Sequence, residues 1–169
     1  MTRSHGAAKK TGLAWLGLSV VVVVLDQWTK HIALDTLQYA DPVAVIPFLN
    51  WTLVYNFGAA FSFLSDAGGW QRWFFIILAL GISTWLVFWL RTVARSQWLT
   101  AAPLALIIGG ALGNVIDRFR YGYVVDFIDV YVGDWHWPAF NIADSAVCVG
   151  AVALIIFASR DDQGDAAAK

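Results

Sequence analysis

The sequence predicts a membrane protein, an all-α bundle of four transmembrane helices with a small extracytoplasmic β platform and a short surface helix. Three observations lead to this fold class. Of 169 residues, 59% are hydrophobic and only 14% are charged, whereas charged residues make up roughly 25% of a soluble domain. Four apolar segments approach the ~20 residues that a helix needs to cross a bilayer. Tryptophans lie near the ends of these segments, where membrane interfaces favour them.

A single membrane domain accounts for the whole chain, with predicted spans at residues 13–28, 73–90, 98–116 and 140–158. The first span follows a basic N-terminal segment and so resembles a signal peptide. It ends in a polar segment rather than in a small-residue cleavage site, and three further spans follow. We therefore interpret it as a retained helix. The tails, residues 1–10 and 160–169, are predicted to be solvated and poorly ordered.

The distribution of basic residues predicts how the chain is oriented. With a cytoplasmic N-terminus, seven of the 11 Lys and Arg residues fall on the cytoplasmic side and four on the outer side. This agrees with the positive-inside rule, so both termini are predicted to be cytoplasmic. Residues 29–72 and 117–139 then form two outer segments.

The outer segments are too apolar for free loops. Residues 43–55 and 123–132 are rich in β-branched and aromatic residues, so we expect short strands there. Together they would form a platform on the membrane surface beside the helix ends. Residues 58–64 are expected to form the short amphipathic surface helix.

Two aspartates, Asp126 and Asp144, flank the start of the fourth predicted span. Because an aspartate at the centre of a membrane helix costs ~2.5–3.5 kcal/mol, both are candidates for function. Two carboxylates held close together share one proton, so the pair contains an acid and a base at once. The ionised carboxylate can then remove a proton from water while the protonated one protonates a leaving nitrogen. Such a pair can hydrolyse a peptide bond with no metal or organic cofactor.

Simpler roles compete with this interpretation. Either aspartate can cap a helix or form an ion pair with Arg118 or Arg120. A Cys-His site built from Cys148 and His136 is a weaker alternative, since a buried cysteine is usually a packing residue. A Ser-Lys site using Lys30 is equally weak, because no serine has a distinguishing context.

Other polar residues are predicted to lie in the same layer, where Asn114, Asp117 and Arg118 end the third helix on the outer side. Asn114 and Arg118 are four positions apart and share a face of the third helix. Asn56 and Asn141 are candidates for donating hydrogen bonds to a substrate backbone.

Two further helix pairs have a simpler explanation. Asp26 and Lys30 are spaced to form an ion pair at the outer end of the first helix. Gly109 and Gly113 form a small-residue face that is typical of close helix packing.

Composition excludes several classes of protein. All 12 acidic residues are aspartates, so the His-Glu-x-x-His motif of zinc proteases is absent. A single cysteine rules out an intramolecular disulfide and a Cys-Cys metal site. A net charge of -1 gives no basic face for binding nucleic acid.

Five short motifs resemble, in order, those of lipoprotein signal peptidase, the signal peptidase II of bacteria. The motifs are residues 26–30 (DQWTK), 56–62 (NFGAAFS), 109–118 (GGALGNVIDR), 124–127 (VVDF) and 141–145 (NIADS). Five motifs in register on a chain of this length make the resemblance specific. One departure is Phe57, where the family more often has a small polar or a basic residue.

The resemblance implies an aspartic endopeptidase of the bacterial inner membrane, with its active site at the periplasmic face. Its partners would be the lipid bilayer and diacylglyceryl-modified prolipoproteins, which it would cut before the lipidated cysteine. Inhibition by the cyclic peptide globomycin is expected. The family's catalytic pair falls on Asp126 and Asp144. Its substrate-contacting or supporting residues fall on Asn56, Gly110, Asn114, Arg118, Asn141, Asp26 and Lys30.

Two functions from other classes remain open at this point. The same aspartates could serve a small proton- or cation-coupled transporter subunit, although four helices leave little room for alternating access. A non-catalytic scaffold subunit would be favoured only if both aspartates tolerated substitution.

Overall fold

The computed structural model describes residues 11–58 and 69–167, with side chains described as far as residue 157. Within this part of the chain there are four α-helices and one antiparallel sheet of four strands. The helices are α1 (Leu16–Thr36), α2 (Trp70–Thr92), α3 (Trp98–Arg120) and α4 (Ile142–Ala167). The strands, in their order across the sheet, are β1 (Val43–Ile46), β2 (Leu49–Asn56), β3 (Val124–Val132) and β4 (Trp135–His136).

Three helical segments are long and apolar enough to cross a membrane: Gly12–Thr36, Trp70–Thr92 and Trp98–Arg120. The apolar part of α4, Ile142–Phe157, is shorter. The predicted helical bundle and small sheet are therefore confirmed, while the count of four spans stays a prediction. Helix α4 runs to Ala167, so the tail predicted at residues 160–169 begins inside this helix. The predicted surface helix at residues 58–64 falls almost entirely outside the described residues.

Large apolar side chains point outward along the helices. Ile77 on α2 is 69% exposed and Ile155 on α4 is 79% exposed. An apolar surface this extensive marks contact with lipid or with another apolar partner. On α2, which is long and apolar enough to cross a membrane, lipid is the simpler explanation.

Helix α3 is the centre of the bundle, since α1, α2 and α4 each pack against it. Its glycines allow close approach to α1. A Cβ atom on Gly109 would lie 2.8 Å from the carbonyl oxygen of Ser19, and one on Gly113 would lie 2.6 Å from a carboxylate oxygen of Asp26. The predicted small-residue packing face is confirmed.

The sheet carries Asp126 to the end of the bundle. Gly122, with φ at +89°, turns the chain from α3 into β3, a conformation that glycine adopts without strain. Strand β3 pairs antiparallel with β2, with Asp126 opposite Val54. It also holds the start of α4, because the carbonyl of Phe140 accepts hydrogen bonds from the Phe127 and Ile128 amides at 3.1 and 2.8 Å. The strands expected at residues 43–55 and 123–132 are thus confirmed.

Candidate active site

Asp126 and Asp144 both hydrogen-bond to Asn141. The Asn141 side-chain amide donates to one oxygen of Asp126 at 2.7 Å, and its backbone amide donates to Asp144 at 3.3 Å. Asp126 is 1% exposed and Asn141 is fully buried. The two aspartates come from different elements, β3 and α4, and meet at one residue.

Asn141 holds this position because it is the N-cap of α4. Its side-chain oxygen accepts a hydrogen bond from the Asp144 amide at 2.9 Å, while Asp144 accepts from the Asn141 amide. This reciprocal arrangement is a capping box with aspartate in the place of the usual glutamate. The box fixes the Asp144 carboxylate at the first turn of α4, which is the helix end that favours a negative charge.

Each aspartate accepts a hydrogen bond from one further asparagine, on the carboxylate oxygen that does not contact Asn141. The Asn56 amide donates to the second oxygen of Asp126 at 3.1 Å, and the Asn114 amide donates to Asp144 at 2.7 Å. The side-chain oxygen of Asn56 accepts from the Gly58 amide at 3.1 Å, which orients its amide toward Asp126. Neutral donors therefore hold both carboxylates in place, and they do so without neutralising them.

Behind Asn114 lies a buried group of charges centred on Lys30. The ammonium of Lys30 is 2.8 Å from the carboxylates of both Asp26 and Asp117 and donates to Asn114 at 2.9 Å. All three charged residues are at most 2% exposed. The predicted Asp26–Lys30 ion pair is confirmed, and Asp117 is a second partner. Asp26 also accepts a hydrogen bond from the Ala143 amide at 2.9 Å, so the group supports the start of α4 as well.

Arg118 lies at the edge of the site. It donates to the Gly58 carbonyl at 2.7 Å, and its guanidinium lies over the Phe75 ring at 5.0 Å. Its Nε is buried without a hydrogen-bond partner among the described residues. A buried donor left without a partner is costly, so this group is suited to binding a ligand oxygen.

The site perturbs the acidity of Asp126. Burial, followed by the nearby charge of Asp144, raises the pKa of Asp126 to about 7. Hydrogen bonds from Asn56 and Asn141 only partly oppose this rise. A carboxylic acid that titrates near neutral pH can donate or accept a proton under physiological conditions.

The arrangement disfavours the simpler roles except one, since Asp144 does cap the start of α4. Among the described residues, neither Asp126 nor Asp144 forms an ion pair with an arginine. His136 is bound to Asp129 at 2.7 Å on the sheet, and Cys148 lies in α4 and is exposed, which disfavours a Cys-His site. Lys30 is held between two carboxylates, which disfavours its use as a base for a serine. Within the same residues, no group of three or more His, Cys or Asp side chains is placed to hold a metal ion.

Comparison with known proteins decides the family. The profile of signal peptidase (SPase) II matches residues 18–160. The chain belongs to the signal peptidase II family. Proteins named lipoprotein signal peptidase are similar over most of their length. The protein from Acinetobacter baumannii is 62% identical, over 85% of this chain and 82% of its own length. The protein from Xanthomonas euvesicatoria is 58% identical, over 91% of this chain and 90% of its own length.

Solved structures share the fold of this chain. Two crystal structures described as a bacterial membrane enzyme, solved by the in meso method, superpose with TM-scores of 0.81 and 0.75 at 37% identity. The superpositions include 95% and 89% of this chain, and 96% of the chain in each solved structure. Membership of a peptidase family favours the enzyme over the transporter and scaffold alternatives.

The structure brings most of the predicted site residues into one network. Asn56, Asn114 and Asn141 contact the aspartates directly, although we expected Asn56 and Asn141 to donate to substrate. Asp26 and Lys30 act one layer further back, through Asn114 and the Ala143 amide.

Two members of the network were not predicted as site residues. Asp117 accepts hydrogen bonds from Gln27 at 2.7 Å and from the Val125 amide at 3.1 Å, which fixes the start of β3. The signal was available in the sequence, since Asp117 is three residues after Asn114 and so lies on the same face of α3. Gln27 adjoins Asp26 and carried no comparable signal.

Gly110 makes the approach of α3 to α4 possible. A Cβ atom there would collide with the Ala143 carbonyl oxygen and lie 2.7 Å from the Val147 side chain. We expect Gly110→Ala to displace the start of α4 and reduce both the melting temperature and peptidase activity. Gly81→Ala on α2 is the matched control, because a Cβ there meets nothing within 4 Å and alanine favours the helix by about 1 kcal/mol. Equal melting temperatures for the two variants would contradict the packing role of Gly110.

Proposed function

We propose that this signal peptidase II is an aspartic endopeptidase that removes the signal peptide from diacylglyceryl-modified prolipoproteins, before the lipidated cysteine. Asp126 and Asp144 are its catalytic pair. The observation that carries this assignment is the shared contact of both carboxylates with Asn141, in a buried site where the pKa of Asp126 is raised to about 7. The names of the relatives supply the substrate class.

The pair is proposed to work with one shared proton. A water molecule between the carboxylates loses a proton to the ionised one and attacks the scissile carbonyl carbon. The protonated carboxyl hydrogen-bonds to the carbonyl oxygen and then protonates the leaving nitrogen. The unpartnered Nε of Arg118 is suited to hold a backbone carbonyl of the substrate nearby.

Membrane topology brings the substrate to the pair. We propose four spans in a bacterial inner membrane, with both termini cytoplasmic and the aspartates at the periplasmic face. The excess of Lys and Arg residues on the predicted cytoplasmic side supports this orientation. The diacylglyceryl group anchors the cysteine in the outer leaflet, so the scissile bond lies near the first turn of α4. Fusing a reporter of periplasmic or cytoplasmic location to each terminus tests the topology, and a periplasmic signal at either end would contradict it.

The substrate assignment is tested with purified protein in detergent. We expect a diacylated precursor to be shortened, while the same precursor without its lipid is processed far more slowly. Equal processing of both would contradict lipid recognition, and no product from folded protein would contradict the peptidase. Globomycin added to the same assay is expected to stop product formation, and continued formation would contradict that expectation.

Activity is expected to fall as the pH rises through about 7. Below this pH the pair keeps its shared proton, and above it both carboxylates are ionised and the acid is lost. The measurement is kcat/KM between pH 5 and 9, which reports the ionisation of the free enzyme. The precursor should carry no group that titrates in this range. A profile that rises through pH 7 would contradict the shared-proton mechanism.

A further inference from the structure

A cavity of about 300 Å³ lies between the ends of α1 and α3. Gln27, Trp28, Lys30 and His31 line it from α1, and Asp117, Arg120 and Tyr121 line it from the end of α3. Neither catalytic aspartate lines this cavity, nor does any of the three asparagines that bind them. The cavity therefore does not reach the catalytic pair, although Gln27, Lys30 and Asp117 in its wall belong to the network that supports the site.

The charges in the wall favour an anion. Arg120 forms no ion pair among residues 11–58 and 69–157, and its guanidinium lies over the Tyr121 ring at 5.2 Å. His31 is a second basic group, and its only carboxylate contact in this part of the chain is exposed and long, 3.5 Å from Asp35. The carboxylate in the wall, Asp117, is already bound by Lys30 and Gln27. Among the described residues of this wall, Arg120 is thus the cation whose N–H donors are available to bind an anion.

The position of the cavity indicates where the anion comes from. Trp28 is 61% exposed and Tyr121 is 37% exposed at the same ends of the helices, as expected of aromatic residues at a membrane interface. The abundant anion at that depth is the phosphate of the lipid headgroups. Arginine matches phosphate geometry with paired N–H donors.

We propose that this cavity binds the phosphate group of a phospholipid, with Arg120 as the main ligand and His31 as the second. Binding here does not depend on the peptidase assignment. Arg120 is exposed and makes no contact with Asp126 or Asp144 among the described residues, so its replacement leaves the catalytic pair intact.

Native mass spectrometry of the purified chain in detergent, titrated with phosphatidylglycerol, tests the proposal. Arg120→Gln is expected to weaken binding about tenfold or more, since a hydrogen bond to a charged group is lost. Arg91→Gln is the matched control, because Arg91 is an exposed arginine on α2 whose guanidinium lies 5.9 Å from the Phe88 ring. Binding that is unchanged in Arg120→Gln, or weakened equally in both variants, would overturn the proposal.

Three further ligands test whether the cavity recognises a phosphate group and whether that phosphate must belong to a lipid. Diacylglycerol with the same acyl chains lacks the phosphate, and its equal binding would overturn the proposal. Displacement of the lipid by inorganic phosphate or glycerol phosphate would support a phosphate site that soluble anions also reach. Retention of the lipid against both would support a site for the lipid headgroup alone. Melting temperatures of the variants confirm that each is folded.

Discussion

Asp126→Asn and Asp144→Asn are each expected to reduce cleavage of a diacylated precursor by at least ~10²- to 10⁴-fold. Asparagine has the shape of aspartate but neither accepts a proton from water nor donates one as a carboxyl. Asparagine at 126 can still accept the hydrogen bond from one of Asn56 and Asn141, while its own amide N–H2 faces the donor of the other. The measurement is single-turnover product formation at pH 6 to 7 with matched amounts of folded enzyme.

Asp134→Asn is the matched control for these two variants. It makes the same chemical change in the exposed turn between β3 and β4, and we expect it to process precursor at the normal rate. The melting temperatures of Asp126→Asn and Asp144→Asn show that each variant is folded, since each removes a buried charge but also places an amide N–H2 against a donor that the carboxylate accepted. Near-normal cleavage by either variant would refute the catalytic pair.

Hydropathy predicts the helices of this fold because each one turns an apolar surface to lipid. The residues that form the buried polar network, by contrast, are those that break this pattern. Asp126, Asp144, Asp26 and Lys30 all stand out in the sequence since ionisable groups near hydrocarbon are costly. Glycine spacing also predicts the close contact of α3 with α1.

Contacts between elements distant in sequence are less predictable. No local pattern shows that Asn141 caps α4 and also donates to Asp126 on β3, because the second contact depends on how β3 enters the sheet. Asp117 was predicted to lie in the polar layer, but its partners could not be predicted for a related reason. The fold turns Asp117 inward to Lys30 and Arg118 toward Gly58, and both contacts join elements distant in sequence.

Lys30→Met is expected to be the most destabilising single substitution in the buried charge group. Lys30 lies 2.8 Å from both Asp26 and Asp117, and methionine keeps the length of the side chain while removing its charge. Two buried carboxylates then lose their common partner. Breaking a buried ion pair in this way costs about 3–5 kcal/mol.

The same substitution is expected to lower activity beyond its effect on folding. Lys30 donates to Asn114, which in turn donates to Asp144, so the orientation of the Asp144 carboxylate depends on it. Thermal unfolding in detergent and kcat of the folded fraction separate the two effects. Adding Asp26→Asn and Asp117→Asn to Lys30→Met removes the uncompensated charges, so the triple variant should regain part of the melting temperature while its activity stays low. If Lys30→Met alone melted at the normal temperature, Lys30 would not be the charge that holds this group together.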